Sequence, residues 1–567
     1  MFIIFRNKDF FFYASILIVS IFFAVSQTRF QIALEAPLYL NENIKVNQYS
    51  PYTTALMSQY SLIIQLITFS FKKGLDDVFI ISQILLSISN FCFFLGIFLT
   101  IKSLIIKIFN SLSSRVFCWI VSFFIVFVLQ LHFGQGDYPV LFRPSLHTWG
   151  VMGIAISTLI FGLIANGNFK LSVFIVCVFV SIHMVHGAWM LGVLILSIFF
   201  DKYLNDNFYQ IKSIYFGLFF GFLFFGISYF YFINFSGNIN YFKNIKYDMN
   251  LMQDWIKYWE HHRTIREINL TYLFKSIILF LILLLSSKIC KNYLNRATSF
   301  LLMFVAISIG LSSIIYISYK TFFNYLPLFL IQPMPTRVFN VHSVISWPII
   351  ISLSIIYIKF FSDKFKLNFY QTLIVSLIIL CFVNMKGIKN YYNYFFNHYD
   401  SKSGINSFLK NNPLRTRFAM FYHYSFLEKK KIIKDYDFWI KIKNIDDGFY
   451  WLAPPNEINN LIFISNKPVL INPRAFDIPM YDPSTLLFIK NIIEDLWHIS
   501  FKNPMGNEER IKLLPTLIKK AYEEKDLSMW KKILDKYNVK YVIAPNHWNI
   551  SLPIKLMNSD ITVYVIE

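Results

Sequence analysis

Long apolar runs separated by short charged gaps fill the first two thirds of the chain, and the last third alternates short β-prone segments with amphipathic ones. A run of roughly 18 or more apolar residues can cross about 30 Å of hydrocarbon as a helix whose amides all bond within it. The pattern predicts spans near 10–27, 78–100, 116–133, 150–166, 171–186, 187–200, 213–235, 272–289, 298–317, 340–360 and 369–384, about eleven in all. Leu171 to Phe200 is too long for one ordinary span and is interrupted near His183, His186 and Gly187, so it is divided into two short helices. Ala55 to Phe71 is apolar but ends in Lys72 and Lys73, which predicts a helix lying along the membrane surface rather than a further span. Arg6 and Lys8 precede the first run and no small-residue cleavage site follows it, the pattern of an uncleaved span with a cytoplasmic N-terminus.

From about Lys386 onward the long runs stop. Phe418–Tyr422, Phe449–Leu452, Leu461–Ile464, Tyr541–Ala544 and Thr562–Ile566 read as strands. Between Leu527 and Ala544, Trp530, Ile533 and Leu534 share one helical face, Asn538 stops the helix, and Lys540 to Ile543 begin a strand. The expected architecture is therefore a polytopic α-helical membrane protein over residues 1–385 with a C-terminal soluble α/β domain over 386–567. That domain has no Gly-rich phosphate loop, GxSxG or HExxH, and it reads as a stabilising or substrate-gating lid. Its segment Asn472-Pro473-Arg474, with Asp477 to Asp482, reads first as turn chemistry at a sheet edge.

Composition narrows the class. A chain of 567 residues that is 56% hydrophobic, 19% aromatic and 15% charged has too little polar surface to cover a soluble globule. The net charge of +21 comes with abundant Lys, Asn, Ile, Phe and Tyr, an AT-rich coding bias, and does not argue for nucleic acid. Cys92, Cys118, Cys177, Cys290 and Cys381 lie in or beside apolar segments without a CxxC pair, which argues against structural disulfides and a cysteine-ligated metal. Alternate gaps carry Lys102, Lys107 and Arg115, then Lys170, then Lys202 and Lys212, then Lys288, Lys291 and Arg296, then Lys359, Lys364 and Lys366, which marks them as cytoplasmic loops. The other gaps are longer and rich in His, Trp, Tyr and Pro, and an odd number of spans puts the C-terminal domain on their outer side.

Ionisable groups at or near a bilayer are costly unless satisfied, so the outer gaps supply the candidates. They carry Glu35 and Glu42, then Asp137, Arg143 and His147, then His183 and His186 at the helix break. The loop from about Gly237 to Thr271 adds Asp254, Trp255, Glu260, His261, His262, Arg263 and Arg266, and the last outer elements add Gln332, Arg337 and His342. Each also has a plainer role. Glu35 could be a solvated loop charge, although the rest of Ala33–Leu40 is apolar. His183 and His186 share a helical face and could hold a metal, but no third ligand stands at diagnostic spacing, and no metal site is assigned. Arg337, beside Pro333 and Pro335, suits a phosphate by bidentate bonding or an interface by snorkelling.

The order of these features resembles the GT-C superfamily of membrane glycosyltransferases. Those proteins have a cytoplasmic N-terminus, a long first outer loop with a carboxylate and surface-lying helices, about eleven to thirteen spans, and often a soluble outer C-terminal domain. The likeness is nearest to bacterial GT-C-like proteins in which a helix-break histidine, here in Ser181-Ile182-His183, precedes a Trp/Gly-rich helix and a Tyr-Val-Ile strand nears the C-terminus. The resemblance implies Glu35 as general base, Asp137 as a second acid, and Arg337 against the lipid phosphate of the donor. Arg143, His147, His183, His186, His261 and His262 would line the substrate. It implies transfer of a sugar from a polyprenyl-phosphate carrier to a glycan, lipid or protein at the outer face of a bacterial inner membrane. A divalent cation would assist by neutralising phosphate, though no residue demands one. The chain departs from the superfamily in lacking its frequent first-loop acidic pair: Glu35 and Glu42 are not adjacent. A lipid-linked glycan polymerase or ligase, a non-catalytic scaffold and a transporter are the competing classes.

Overall fold

The structure, a computed structural model, describes residues 9–25, 34–75, 77–108, 112–123, 125–126, 149–204, 211–235, 248–259, 270–322, 325, 339–365, 435–445, 448–454, 457–472, 478–502 and 516–567. Up to residue 365 it is helical: α1 (Phe10–Val25), α2 (Glu35–Leu40), α3 (Pro51–Met57), α4 (Leu62–Lys72), α5 (Val78–Ile105), α6 (Leu112–Phe123), α7 (Trp149–Ala165), α8 (Phe169–Ile182), α9 (Met184–Leu204), α10 (Ile211–Phe235), α11 (Met249–Tyr258), α12 (Leu270–Ile289), α13 (Arg296–Phe322) and α14 (Phe339–Phe365). Among the described residues four helical stretches, Ile80–Ile105, Met184–Asp201, Arg296–Phe322 and Val344–Asp363, are long and apolar enough to cross a membrane, and the bent pair of α3 and α4 would make a fifth. Phe10–Ala24, Leu112–Phe123, Gly150–Ala165, Phe169–Ile182 and Ile214–Phe230 are apolar but shorter. The run at 369–384 lies outside the described residues.

The bundle turns large apolar side chains outward as well as inward. Phe216, Phe219, Phe230 and Phe274 stand out from it, whereas Ser122, Ser157, Thr158 and Ser197 are buried. Each of those hydroxyls bonds back to the carbonyl four residues earlier, so the interior holds no unsatisfied oxygen on their account. Close helix approaches replace bulk. A Cβ on Gly96 of α5 would stand 2.3 Å from the Thr158 carbonyl oxygen of α7, and one on Gly162 would stand 2.5 Å from the Gly96 carbonyl oxygen. Gly217 and Gly221 of α10 admit Val173 and Cys177 of α8 in the same way.

The two ends of the bundle differ chemically. At one end Asp9, just before α1, bonds Lys102 of α5 at 3.0 Å and Arg115 of α6 at 2.9 Å. Asp201 of α9 faces Arg296 of α13 at 3.9 Å, Lys107 reaches the Leu294 carbonyl, and Lys359 pairs with Asp363 in α14. At the other end Tyr319 of α13 and Trp255 of α11 join the core of the C-terminal domain. Trp255, Trp259 and Phe501 stack with centroids 5.8–6.3 Å apart, and the Trp259 indole donates to the Phe501 carbonyl at 3.0 Å.

That domain contains α15 (Tyr436–Lys443), β1 (Tyr450–Leu452), α16 (Ile458–Phe463), α17 (Ile478–Tyr481), α18 (Leu486–Trp497), α19 (Leu527–Tyr537), β2 (Val539–Pro545), β3 (Ile554–Met557) and β4 (Ile561–Val565). The sheet order is β1-β2-β4-β3, parallel between β1 and β2 and antiparallel elsewhere. Asp526 caps α19 through the Met529 amide, and Asn538 ends it in the left-handed region at φ 55°. Three expectations need correction. Leu461–Ile464 belongs mostly to α16 rather than to a strand, because Glu457 starts a turn and Leu461 and Ile462 bury on one side of the sheet. Ala55–Phe71 is not one surface helix but two helices bent by 94°, with Ser61 extended between them. Within Asp477 to Asp482, Ile478–Tyr481 is a helical turn rather than open loop, and Asp482 caps a second turn that begins at Pro483. The predicted strand Phe418–Tyr422 falls outside the described residues.

Gly96→Ala should lower the melting stability of the detergent-solubilised chain by about 1–3 kcal/mol, the usual cost of overpacking. Gly226→Ala, where nothing lies within 4 Å of the new methyl, should not. Equal melting of the two variants would contradict the close α5–α7 approach.

Candidate functional site

The site begins at the end of the bundle away from the Asp9 cluster. α2 opens on Glu35 and ends where Glu42 takes φ 58°, which turns the chain into an exposed loop. Ser50 then caps α3, its hydroxyl accepting from the Thr53 amide, with Pro51 in the first helical position. α2 is short because it is held by tertiary packing: Glu35, Ala36, Pro37, Leu38 and Tyr39 are all buried between α3, α4 and the C-terminal domain.

Glu35 is 0% exposed, and neither carboxyl oxygen makes a hydrogen bond of full geometry. Burial pushes its pKa up to about 8, against weaker opposing effects of the Asn472 and Tyr52 side chains, which favour the charged form. At neutral pH the carboxyl is therefore mostly protonated. Tyr39, one turn along α2, is held well above the usual phenol range by burial first and then by the charges of Glu35 and Tyr450.

The C-terminal domain closes over this carboxyl through a polar joint. The Asn47 amide donates to the Gly448 carbonyl at 2.9 Å, and the Ser50 amide donates to the Tyr450 hydroxyl at 2.7 Å. That hydroxyl lies 3.0 Å from Thr53 Oγ1, which is 3.1 Å from Ser50 Oγ. Gly448 adopts φ +64°, and a Cβ there would meet Asn47 Oδ1 at 2.3 Å, so both conformation and space call for glycine.

Beside this joint two helix breaks face each other. α8 ends at Ile182, His183 is extended, and α9 restarts at Met184. Gly187 makes the turn possible, since a Cβ there would stand 2.4 Å from the Val180 nitrogen. The His183 and His186 rings stack 4.2 Å apart, the His186 amide donates to His183 Nδ1 at 3.4 Å, and Gly153 of α7 leaves room for the His186 ring. Ser61, at the α3–α4 break, donates to the Ile182 carbonyl at 3.4 Å, and Tyr60 Oη lies 2.7 Å from Ser228 Oγ of α10.

Of the sequence candidates, the structure brings His183 and His186 together and buries Glu35, whose carboxyl is raised by that burial against the opposing effects of Asn472 and Tyr52. Glu42 is exposed. His342 lies in the bundle between α13 and α14, 3.4 Å from Ser308 Oγ, and not at an outer loop as expected. Asp137, Arg143, His147, His261, His262, Gln332 and Arg337 lie outside the described residues. Among the described residues no three His, Cys, Asp or Glu side chains converge as a metal site would require. Asn472, read from sequence as a turn residue, faces Glu35, and Tyr450, read only as a strand residue, carries the joint. No family model matches the chain, and no curated protein matches it.

Because the folded-state pKa of Glu35 lies above its ordinary 4.5, its contribution to stability is complete below pH 4.5 and is lost as pH rises through about 8. At about 1.4 kcal/mol per pH unit traversed, melting stability should fall by a few kcal/mol across this window. Glu35→Gln should remove that part of the slope. A wild-type profile between pH 5 and 9 that parallels the glutamine variant would contradict the assignment.

Proposed function

We propose that the chain is a GT-C-like integral membrane glycosyltransferase that moves a sugar from a polyprenyl-phosphate donor to a glycan, lipid or protein acceptor. The observation that carries this reading is Glu35: a carboxyl wholly removed from water, raised to about 8, on the first helix after the first apolar helix. A buried acid held by weak hydrogen bonds is expensive to keep, and it is a strong base once ionised. In the proposed step Glu35 takes the proton of the acceptor hydroxyl as that oxygen bonds the anomeric carbon. The bond from that carbon to the carrier phosphate breaks, and the lipid phosphate leaves as the anion.

Orientation follows from charge. Lys102, Lys107, Arg115, Arg296 and Lys359 gather at one end of the bundle, which in a bacterial inner membrane belongs to the cytoplasm. Glu35 and the C-terminal domain then lie on the outer face, where a polyprenyl-linked sugar is presented. The eleven-span reading, with 369–384 as the last span, agrees with that placement. Asp137 would supply the second acid and Arg337 the contact to the carrier phosphate, which a guanidinium binds by paired bonds. The complete burial of Glu35 under the joint also favours a second reading, a scaffold that has kept the fold without turnover.

Deleting the gene should accumulate a polyprenyl-linked saccharide, and Glu35→Gln, expressed at wild-type abundance, should not clear it. In proteoliposomes the same variant should lose about 10²–10⁴-fold in transfer rate. A normal lipid-linked pool in the deletion strain would support the scaffold, and wild-type transfer by the variant would remove Glu35 from the mechanism.

A further inference from the structure

The joint between the first-loop helices and the C-terminal sheet unites two features with one physical consequence. Among the described residues its bonds include Asn47 to Gly448, Ser50 to Tyr450, and Tyr450 to Thr53, beside apolar packing of Ile478 and Phe488 against α2 and α3. Directly beside them lies a carboxyl that the closed joint shuts away from water. The titratable groups around it are Tyr39 on its own helix and Tyr52 on α3, with Asn472 as the neutral polar neighbour and Tyr450 of β1 acting on Tyr39. Glu42 acts at the rim, on Tyr49. α4, also packed on α2, has no charged residue before Lys72. Among the described residues, no cation acts on the Glu35 carboxyl.

We propose that this joint is a proton-controlled gate, closed by Tyr450 over a neutral Glu35 and opened when that carboxyl ionises, so that the C-terminal domain uncovers α2 and α3. An anion among tyrosines and apolar side chains is stabilised least by staying and most by hydration, and the joint beside it is its route to water. Opening leaves the breaks at Ser61 and His183 as they are, because groups of the bundle itself satisfy them. Tyr450 suits a latch: its hydroxyl accepts from the Ser50 amide that begins α3 and pairs with Thr53 one turn later, so its release frees the start of that helix. The gate stands whether or not the chain transfers sugar.

Hydrogen exchange on the full chain in lipid nanodiscs reads the gate directly, because the Asn47 and Ser50 amides are bonded across the joint. With labelling times corrected for intrinsic exchange, protection of peptides spanning 44–53 should fall about tenfold or more between pH 6 and pH 9, while amides inside α5 stay protected. Glu35→Gln should keep the joint protected at both values, and Tyr450→Phe should lower protection at both. Where the glutamine variant does not fold, Glu35→Met fills similar volume without a titrating group. Protection in the wild type that is equal at pH 6 and pH 9, or a fall shared by the non-titrating variants, would overturn the gate. Neither result depends on turnover, so a chain without transferase activity could still pass or fail this test.

Discussion

A backbone break in apolar surroundings has no water to satisfy its free amides and carbonyls, so other protein groups have to do it. The upper end of this bundle is organised by that constraint. The break after Ile182 offers a carbonyl, the break before Leu62 offers the Ser61 hydroxyl, and the two meet at 3.4 Å. Tyr60 adds a bond to Ser228, and its ring lies against Phe225, Tyr229 and Phe232 of α10. With α4 fixed by that meeting, the bend between α3 and α4 is fixed, and so is the ledge on which α2 presents Glu35.

The same chain shows how a buried charge is treated when it is only structural. Lys525, 2% exposed, donates to the Leu496 and Ala521 carbonyls at 2.9 Å and lies 3.1 Å from His498 Nε2, so polar groups surround its ammonium. It stitches the end of α18 to the segment that follows. Glu35 has no comparable set of donors: Asn472 and Tyr52 act on it only weakly, while Ser50 and Thr53 bond to one another. A site that only needed to be stable would replace the acid with an apolar side chain at little cost.

Periodicity made much of the architecture readable. Apolar runs marked α1, α5 to α10 and α12 to α14, the interruption at His183 separated α8 from α9, and Asn538 marked the step from α19 to β2. What escaped was set by contacts distant in sequence. The bend at 58–61 depends on α8 and α10, and nothing in Ser-Gln-Tyr-Ser alone separates a kink from a continuous surface helix. Leu461–Ile464 has strand composition but packs as a helix, since burial outweighs intrinsic preference in a short segment. β3 went unseen because an edge strand with Ile554 and Met557 exposed lacks alternation. Glu35 was legible because an acid in an apolar stretch needs a reason, whereas Asn472 and Tyr450 acquire their importance only when a chain segment about four hundred residues away folds back.

The ionic cluster at the opposite end has a bearing on biogenesis. Asp9 finds its partners 93 and 106 residues further along, on α5 and α6. During synthesis the leading helix therefore enters without the cations that later hold its foot. Only after α6 has emerged can the carboxylate be neutralised on both sides, which makes that moment the commitment point at which the leading helix ceases to be a tethered anchor and becomes part of a packed wall.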